Sequence, residues 1–331
     1  MKALLRILLG IAGFVLANAA YADVGLLMNA SLRCKVTSGT NVPIVGISVS
    51  GLGASTQQLL IRAMGPSLAQ FGVPGAIQNS LLTLYQGQTV LDANADWSTD
   101  ANSLAAAAST VGAFGFTKGL DDAAMLKSFT NGTYTAQFTP GAGVDGIGLL
   151  EVYSVSNVTS PHTSAGLANL SMRGPTGPGA AVFTMGFVIG NAPLPVLIRG
   201  IGPSLTQFGV PGAASDTTIT LFEEYQGNTY ALVPDGKGWF VWKLNSTLEP
   251  GEVTDDDWAN GPTSNLVKAY GAALGAFALD PASKDAAIEL TLPPGAYTLQ
   301  IRSKNASADY ADAVLGEIYD ASAPLPPSVG Q

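Results

Sequence analysis

The sequence predicts an all-β protein of two tandem β-sandwich domains, jelly-roll-like in type, that follow a cleaved signal peptide. Three observations support this prediction: short strand-like segments between Gly- and Pro-rich turns, a long block that occurs twice, and an export-type N-terminus. The chain has 331 residues, of which 39 are glycine and 20 are proline. Frequent turns between short apolar segments are typical of β-sandwiches.

The first 22 residues have the pattern of a secretory signal peptide. Lys2 and Arg6 give a positive start, an apolar run over 7–16 follows, and Ala20-Tyr21-Ala22 supplies the small-x-small cleavage site. The apolar run is short for a membrane span, and a retained anchor is the alternative. We therefore expect a secreted protein, at the cell surface or in an extracellular matrix.

The composition limits the classes of molecule that we expect this protein to bind. Charged residues are 12% of the chain and the formal net charge is −9, so nucleic acids and anionic membranes are poor partners. Few charges oppose contact between copies, which favours self-association, although a large buried core would give the same composition. Cys34 is the only cysteine, so no internal disulfide can form. A buried inert thiol is the favoured interpretation, and an intermolecular disulfide is the alternative.

A block of 17 residues occurs twice, over 60–76 and 197–213, with differences at three positions. Shorter matches flank it in the same order, so the chain contains two copies of one module, Leu27 to Tyr153 and Leu167 to Tyr319. This organisation predicts the following domains: signal peptide 1–22, first β-sandwich 23–154, linker 155–166, second β-sandwich 167–322 and a Pro-rich tail 323–331.

Within each copy the patterns predict strands. Apolar and polar residues alternate over 134–138 and again over 297–301, as in half-buried strands. Continuous apolar segments predict inner strands at 46–49, 59–63, 186–189 and 196–199. Helix is expected only in short pieces, at 67–71 and 103–108.

The second copy contains 24 extra residues between Phe222 and Asp257. We assign the insertion to 223–256, in a surface loop or a lengthened hairpin. Its aromatic residues offer a surface for sugar rings or for another protein, and a hairpin packed on the sandwich is the alternative. The candidate ligand-binding residues are Tyr225, Tyr230, Trp239, Phe240 and Trp242.

The order of these motifs resembles a tandem module that recurs in large secreted and surface proteins of environmental bacteria. The resemblance rests on Leu-Ile-Arg-x-x-Gly-Pro-Ser-Leu-x-x-Phe-Gly-Val-x-Gly, which begins at Leu60 and at Leu197, and on the later Asp-Trp and Glu-x-Tyr motifs. The later half of the module is also similar to the bacterial pre-peptidase C-terminal domain, a jelly-roll β-sandwich. The resemblance covers nearly the whole mature chain and implies a β-sandwich in an extracellular setting, with no enzymatic activity attached.

Two arginines end equivalent apolar strands. We expect Arg62 and Arg199 to bind backbone carbonyls and so to brace the Gly-Pro-Ser loop that follows each strand. Glu151 and Glu317 are the expected ion-pair partners on a neighbouring strand. A ligand-binding role for the arginines is the alternative.

Ser67 and Ser204 follow Gly-Pro in the duplicated block. A nucleophilic serine requires a base, and His162 is the only histidine of the chain. We therefore expect each serine to cap the short helix that follows it.

Asp92, Asn94 and Asp96 place three oxygen-bearing side chains at alternate positions, as at the start of a calcium loop. The glycine and glutamate that complete such a loop do not follow, and the second copy offers residues 255–257 instead. A polar turn is the favoured interpretation, and calcium is the only cofactor left open. Zinc is excluded because the chain has one cysteine and one histidine.

These observations favour a non-catalytic secreted protein with a structural or adhesive role, which assembles with copies of itself. The alternative is an extracellular carbohydrate-binding protein that uses the aromatic insertion, with a polysaccharide or a surface protein as partner. A hydrolase that uses carboxylates alone is a third interpretation, but no paired Asp or Glu residues share a site in the sequence.

Overall fold

The computed structural model describes residues 24–39, 41–51, 54–141, 144–159, 165–224, 230–234, 240–244, 252–323 and 325. They divide into two compact units: unit 1 spans Met28–Gly174, and unit 2 contains residues 24–27 and the described residues from Pro175 onward. No helix in this part of the chain is long and apolar enough to cross a membrane. The predicted signal peptide lies outside the described residues.

Unit 1 is a sandwich of two antiparallel sheets that pack together, with strand orders β1-β8-β3-β6 and β9-β2-β7-β4-β5. Its short helices are the 3-10 helices Pro66–Phe71 and Trp97–Asp100 and the α-helices α1 (Ala101–Thr110) and α2 (Val155–Thr159). Its strands, of which the first two residues of β1 and the last two of β9 belong to unit 2, are β1 (Leu26–Val36), β2 (Ile44–Gly51), β3 (Gln57–Met64), β4 (Ser80–Gln86), β5 (Thr89–Asn94), β6 (Ala123–Phe129), β7 (Gly132–Pro140), β8 (Gly146–Ser154) and β9 (Ala165–Thr176).

Unit 2 has antiparallel sheets of strand order β10-β17-β12-β15 and β18-β11-β16, and a separate two-stranded sheet β13-β14. Its helices are the 3-10 helices Gly179–Ala181, Pro203–Phe208 and Trp258–Asn260 and the α-helix α3 (Ser264–Ala273). The strands are β10 (Phe183–Gly190), β11 (Leu194–Ile201), β12 (Thr217–Glu224), β13 (Tyr230–Pro234), β14 (Phe240–Leu244), β15 (Glu252–Asp256), β16 (Ala286–Leu292), β17 (Gly295–Ser303) and β18 (Asp312–Asp320).

The all-β prediction is confirmed, and the alternating pattern located strands correctly. In β7, Tyr134, Ala136 and Phe138 are buried, whereas Thr135 and Gln137 between them are half-buried. Alternate side chains of a strand point to opposite faces, so one face of β7 packs in the core. The two predicted short helices are present at Pro66–Phe71 and in α1, but α3, the counterpart of α1 in the second copy, was not predicted.

The predicted linker begins inside unit 1. Residues 155–159 form α2, and Val155 joins the apolar cluster around α1. The side-chain amide of Gln57 donates to Ser154 Oγ at 2.5 Å and to Asn157 Oδ1 at 2.9 Å, which ties this segment to β3. The described part of the predicted linker thus includes a helix packed on the first sandwich.

The insertion contains a hairpin, one of the two structures expected for it. In unit 1 a two-residue turn joins β4 to β5, and in unit 2 the equivalent strands β12 and β15 are separated by β13 and β14. These strands pair antiparallel, with Tyr230 opposite Leu244 and Pro234 opposite Phe240.

Cys34 lies in β1 and its side chain is buried, as predicted. Burial raises the pKa of the Cys34 thiol, so the reactive thiolate is disfavoured.

Candidate functional site

An arginine and a glutamate form a buried ion pair in unit 1. Arg62 on β3 lies directly across from Glu151 on β8, and its Nε donates to Glu151 Oε2 at 2.8 Å. The hydroxyl of Tyr153 donates to the other carboxylate oxygen, Oε1, at 2.7 Å. Both carboxylate oxygens therefore have donors, as a buried charge requires. The predicted pairing of Arg62 with Glu151 is present.

Arg62 holds a different loop from the one expected. Its Nη1 donates to the carbonyl oxygen of Phe114 at 2.6 Å, and the guanidinium lies 4.3 Å from the centre of the Phe114 ring. Phe114 belongs to the loop after α1, so the predicted bracing of the Gly-Pro-Ser loop by Arg62 is wrong. The register of β3 against β8 places Arg62 across from Glu151, and there the loop after α1 covers the guanidinium.

Asp122 holds the Gly-Pro-Ser loop instead. Its Oδ1 accepts from the backbone N–H of Gly65 at 2.8 Å and from that of Ser67 at 3.3 Å, and its Oδ2 accepts from the Ser67 hydroxyl. The predicted capping role of Ser67 is wrong, because the residue before the 3-10 helix is Gly65, which has no side chain to cap it. Burial raises the pKa of Asp122 and outweighs its hydrogen bonds.

Unit 2 repeats this network. Arg199 Nε lies 2.8 Å from Glu317 Oε2, and Arg199 Nη1 donates to the Phe277 carbonyl at 2.8 Å. The predictions that fail for Arg62 and Ser67 fail here as well. Arg199 binds the Phe277 carbonyl and does not brace the Gly-Pro-Ser loop, and Ser204 donates to Asp285 and does not cap the helix. In the order used for unit 1, the equivalent residues are Arg199, Glu317, Tyr319, Phe277, Asp285 and Ser204.

Sequence reasoning gave the aspartates and the phenylalanines of this network no role, although Asp-Ala-Ala is one of the repeated motifs. Asp122 and Asp285 both begin Asp-Ala-Ala, and they are separated by 163 residues. Phe114 and Phe277 have the same separation. A constant separation of identical residues was the available signal, but nothing in it indicated which loop each residue would contact.

Each network lies beneath an exposed phenylalanine. Phe71 is 39% exposed and Phe208 is 57% exposed, and they occupy equivalent positions at the ends of the two 3-10 helices. The Phe71 ring meets the Phe114 ring edge-on at 5.0 Å, and Phe208 meets Phe277 at 4.9 Å. We call residues 69–75 and 206–212 the aromatic loops. They contain no ionisable residue.

In this arrangement buried side chains support an exposed aromatic ring. The buried arginine fixes Phe114, and Phe114 supports the exposed ring of Phe71. Buried side chains that fix an exposed aromatic residue are characteristic of a preorganised contact surface. The Ser67 hydroxyl is fully buried and donates to Asp122, so it does not face a substrate. His162 lies outside the described residues.

The predicted calcium residues are engaged by protein donors. Lys127 Nζ lies 2.5 Å from Asp92 Oδ2, and the Ala124 N–H donates to Asn94 Oδ1 at 3.1 Å. The hydrogen bond from Lys127 lowers the pKa of Asp92. Asp96 accepts from the N–H and the hydroxyl of Ser98, both at 2.8 Å, and caps the 3-10 helix that follows. These contacts are those of a polar turn.

The second copy gathers a different acidic group, which includes a residue that the sequence did not indicate. Carboxylate oxygens of Asp216, Asp256 and Asp257 lie within 4.8 Å of one another. Lys284 Nζ lies 2.9 Å from Asp216, and Lys304 Nζ contacts both Asp216 and Asp256. Two ammonium groups therefore balance much of this negative charge, and the group is an ion-pair network.

Three of the five predicted aromatic ligand residues lie on the inserted hairpin: Tyr230 begins β13, and Phe240 and Trp242 lie on β14. Their side chains are outside what the structure describes. Tyr225 and Trp239 lie outside the described residues altogether.

Comparison with models of known protein families and with curated proteins finds no match for this chain. The resemblance to the tandem surface module therefore stays a prediction from the residues.

Proposed function

We propose that this is a non-catalytic, secreted structural or adhesive protein that assembles with copies of itself through its two aromatic loops. One observation carries the proposal: an exposed phenylalanine is fixed by the same buried network in both copies. Among the described residues, Phe71 and Phe208 are the one pair of exposed large apolar side chains that the repeat relates.

The chemistry of the loops favours an uncharged partner surface. Phe71 and Phe208 supply apolar contact area, Gln70 and Gln207 supply amide groups, and no charge has to be desolvated on contact. A second copy of the chain presents the same uncharged loops. Because charged residues are only 12% of the chain, few groups oppose contact between two copies.

Two equivalent loops give each chain two contact points. A chain with one self-complementary surface stops at a dimer, whereas a chain with two can continue into an open assembly. Duplication of the module therefore supports a role as a matrix or surface component.

The test uses the mature chain from Asp23 onward and three variants: Phe71→Ser, Phe208→Ser and the double variant. Sedimentation velocity over a range of concentrations and negative-stain electron microscopy measure the assemblies. We expect the unaltered chain to form assemblies that grow with concentration, each single variant to stop at dimers, and the double variant to remain monomeric.

Val144→Ser is the matched control, because Val144 is 75% exposed and lies outside the aromatic loops. It should assemble like the unaltered chain. A strictly monomeric unaltered chain at high concentration would refute the proposal, as would a double variant that assembles normally.

Export, the extracellular location and the jelly-roll topology belong to the same proposal. The N-terminal pattern supports export, and the resemblance to the surface module supports an extracellular location. The strand orders β1-β8-β3-β6 and β2-β7-β4-β5 support a jelly-roll arrangement in the first copy.

A second candidate, carbohydrate binding, is favoured by the hairpin β13-β14, which places Phe240 and Trp242 on one strand. Replacement of Trp239 and Trp242 by alanine should then abolish retention on a polysaccharide matrix. Retention on no glycan by the unaltered chain, or equal retention by both proteins, would reject this candidate.

A further inference from the structure

A glutamate in unit 2 is buried without a partner. Glu289 on β16 is 0% exposed, and neither of its carboxylate oxygens has a hydrogen-bond partner in the described part of the chain. It lies directly across from Leu197 on β11, a member of the apolar cluster beneath α3. A buried polar group in a native structure is normally paired, so this carboxyl group requires an explanation.

Unit 1 is apolar at the same place. Leu126 on β6 is equivalent to Glu289, and Ala107 on α1 is equivalent to Tyr270 on α3. Leu126 and Ala107 belong to one apolar cluster. The same sandwich therefore packs its helix over a leucine in one copy and over a glutamate in the other, with a tyrosine on the helix above it.

Between α3 and the sheet, burial of a carboxyl group costs less free energy when the group is the neutral acid. Burial raises the pKa of Glu289 to about 7 from the ordinary value of 4.5. The nearby carboxyl group raises the pKa of Tyr270 further, in addition to the effect of burial, so the two side chains interact.

The charged groups around β16 differ in their surroundings, and Glu223 on β12, like Glu289, is buried, which raises its pKa. Arg199 on β11 is paired with Glu317, and Lys268 on α3 is exposed. Asp255 on β15 accepts from the Ala287 N–H at 2.9 Å. The remaining ionisable residues on the strands beside β16 are Glu223 of β12 and Asp256 of β15, together with Glu224, Lys243 and Glu252, whose side chains the structure does not describe.

We propose that Glu289 is a proton-operated latch for α3: the neutral acid lets the helix pack on the sheet, and ionisation loosens the helix. The folded unit binds this proton more tightly than the opened unit does. Stability therefore falls as the pH rises between the two pKa values, from about 4.5 to about 7, and stays low above that range. This property is separate from the assembly proposed above and belongs to unit 2 alone.

Hydrogen exchange of the full mature chain tests the latch, with α1 as the internal control for α3. Between pH 5 and pH 8 we expect the protection factors of α3 amides to fall by up to about 70-fold, the change that pKa values of 4.5 and about 7 allow. The protection factors of α1 amides should change little.

Two variants of Glu289 separate a titrating latch from a structural role. Glu289→Leu installs the residue of unit 1, and Glu289→Gln keeps the size while removing the charge. Both should remove most of the fall in α3 protection over this range, whatever their overall stability, and leave only the smaller part that Asp255 contributes through its own raised pKa. Asp255→Asn, which installs the equivalent residue Asn94 of unit 1, should leave the fall in place. A fall that persists undiminished in both Glu289 variants, or its absence in the unaltered chain, would overturn the proposal.

Discussion

Unit 1 and unit 2 share the arginine network but differ in what surrounds it. In both, an arginine, a glutamate and a tyrosine lie on adjacent strands, and an aspartate holds the Gly-Pro-Ser loop. Around the network, unit 1 has Leu126 and Asn94 where unit 2 has Glu289 and Asp255. The module therefore retains the network in both copies, whereas the residues around it change from uncharged to acidic.

Removal of either arginine is the strongest way to test that the network is shared. Arg62→Met leaves Glu151 buried without its cation, and Arg199→Met does the same to Glu317. We expect each variant to lose about 3–5 kcal/mol of unfolding free energy in its own unit. Urea unfolding followed by hydrogen exchange and mass spectrometry reports the two units separately.

The double variant Arg62→Met with Glu151→Leu is the control, because replacement of both partners removes the unpaired charge. It should recover most of the lost stability. If the single and double variants are equally stable, the lost unfolding free energy comes from the missing ion pair itself and not from the uncompensated carboxylate.

Removal of the loop aspartates should have the next largest effect. Asp122→Ala leaves the Gly65 and Ser67 N–H groups and the Ser67 hydroxyl without their acceptor, and Asp285→Ala does the same in unit 2. We expect a loss of about 3 kcal/mol in the affected unit, measured by the same unfolding experiment. Asp122→Asn keeps an acceptor and should lose clearly less, whereas an equal loss would contradict the assignment of these hydrogen bonds.

The sequence predicted the strands well and the site poorly, for a physical reason. Alternation in β7 reflects burial of one face, which is a local property of a strand. The pairing of Arg62 with Glu151 depends on the register of β3 against β8, and could be anticipated only as two charged residues on neighbouring apolar strands. The contact of Arg62 with Phe114 depends on how a loop folds back over the sheet, and no periodic pattern records that path.

Titration of Asp255 should change the stability of unit 2 by a smaller amount. Burial raises the pKa of Asp255 to about 6 from 3.8, so its contribution to stability falls as the pH rises through that interval. Asp255→Asn installs the unit 1 residue, and its amide oxygen can accept from the Ala287 N–H as Asn94 accepts from Ala124. We expect the variant to be more stable than the unaltered chain by about 2 kcal/mol at pH 8 and equal to it near pH 4. Thermal unfolding at both pH values measures the difference, and an equal gain at pH 4 would contradict a titration effect.

Deletion of the inserted hairpin should have the smallest effect on the fold. Replacement of residues 225–251 by a two-residue turn joins β12 to β15 as the turn at 87–88 joins β4 to β5 in unit 1. Although β14 lies against β16, the pairing of β12 with β15 and β17 does not depend on the hairpin, and we expect the unfolding free energy of unit 2 to fall by about 1 kcal/mol or less. A much larger loss would show that the hairpin is part of the core of unit 2. The two units would then differ in how they are held together as well as in what they present to a partner.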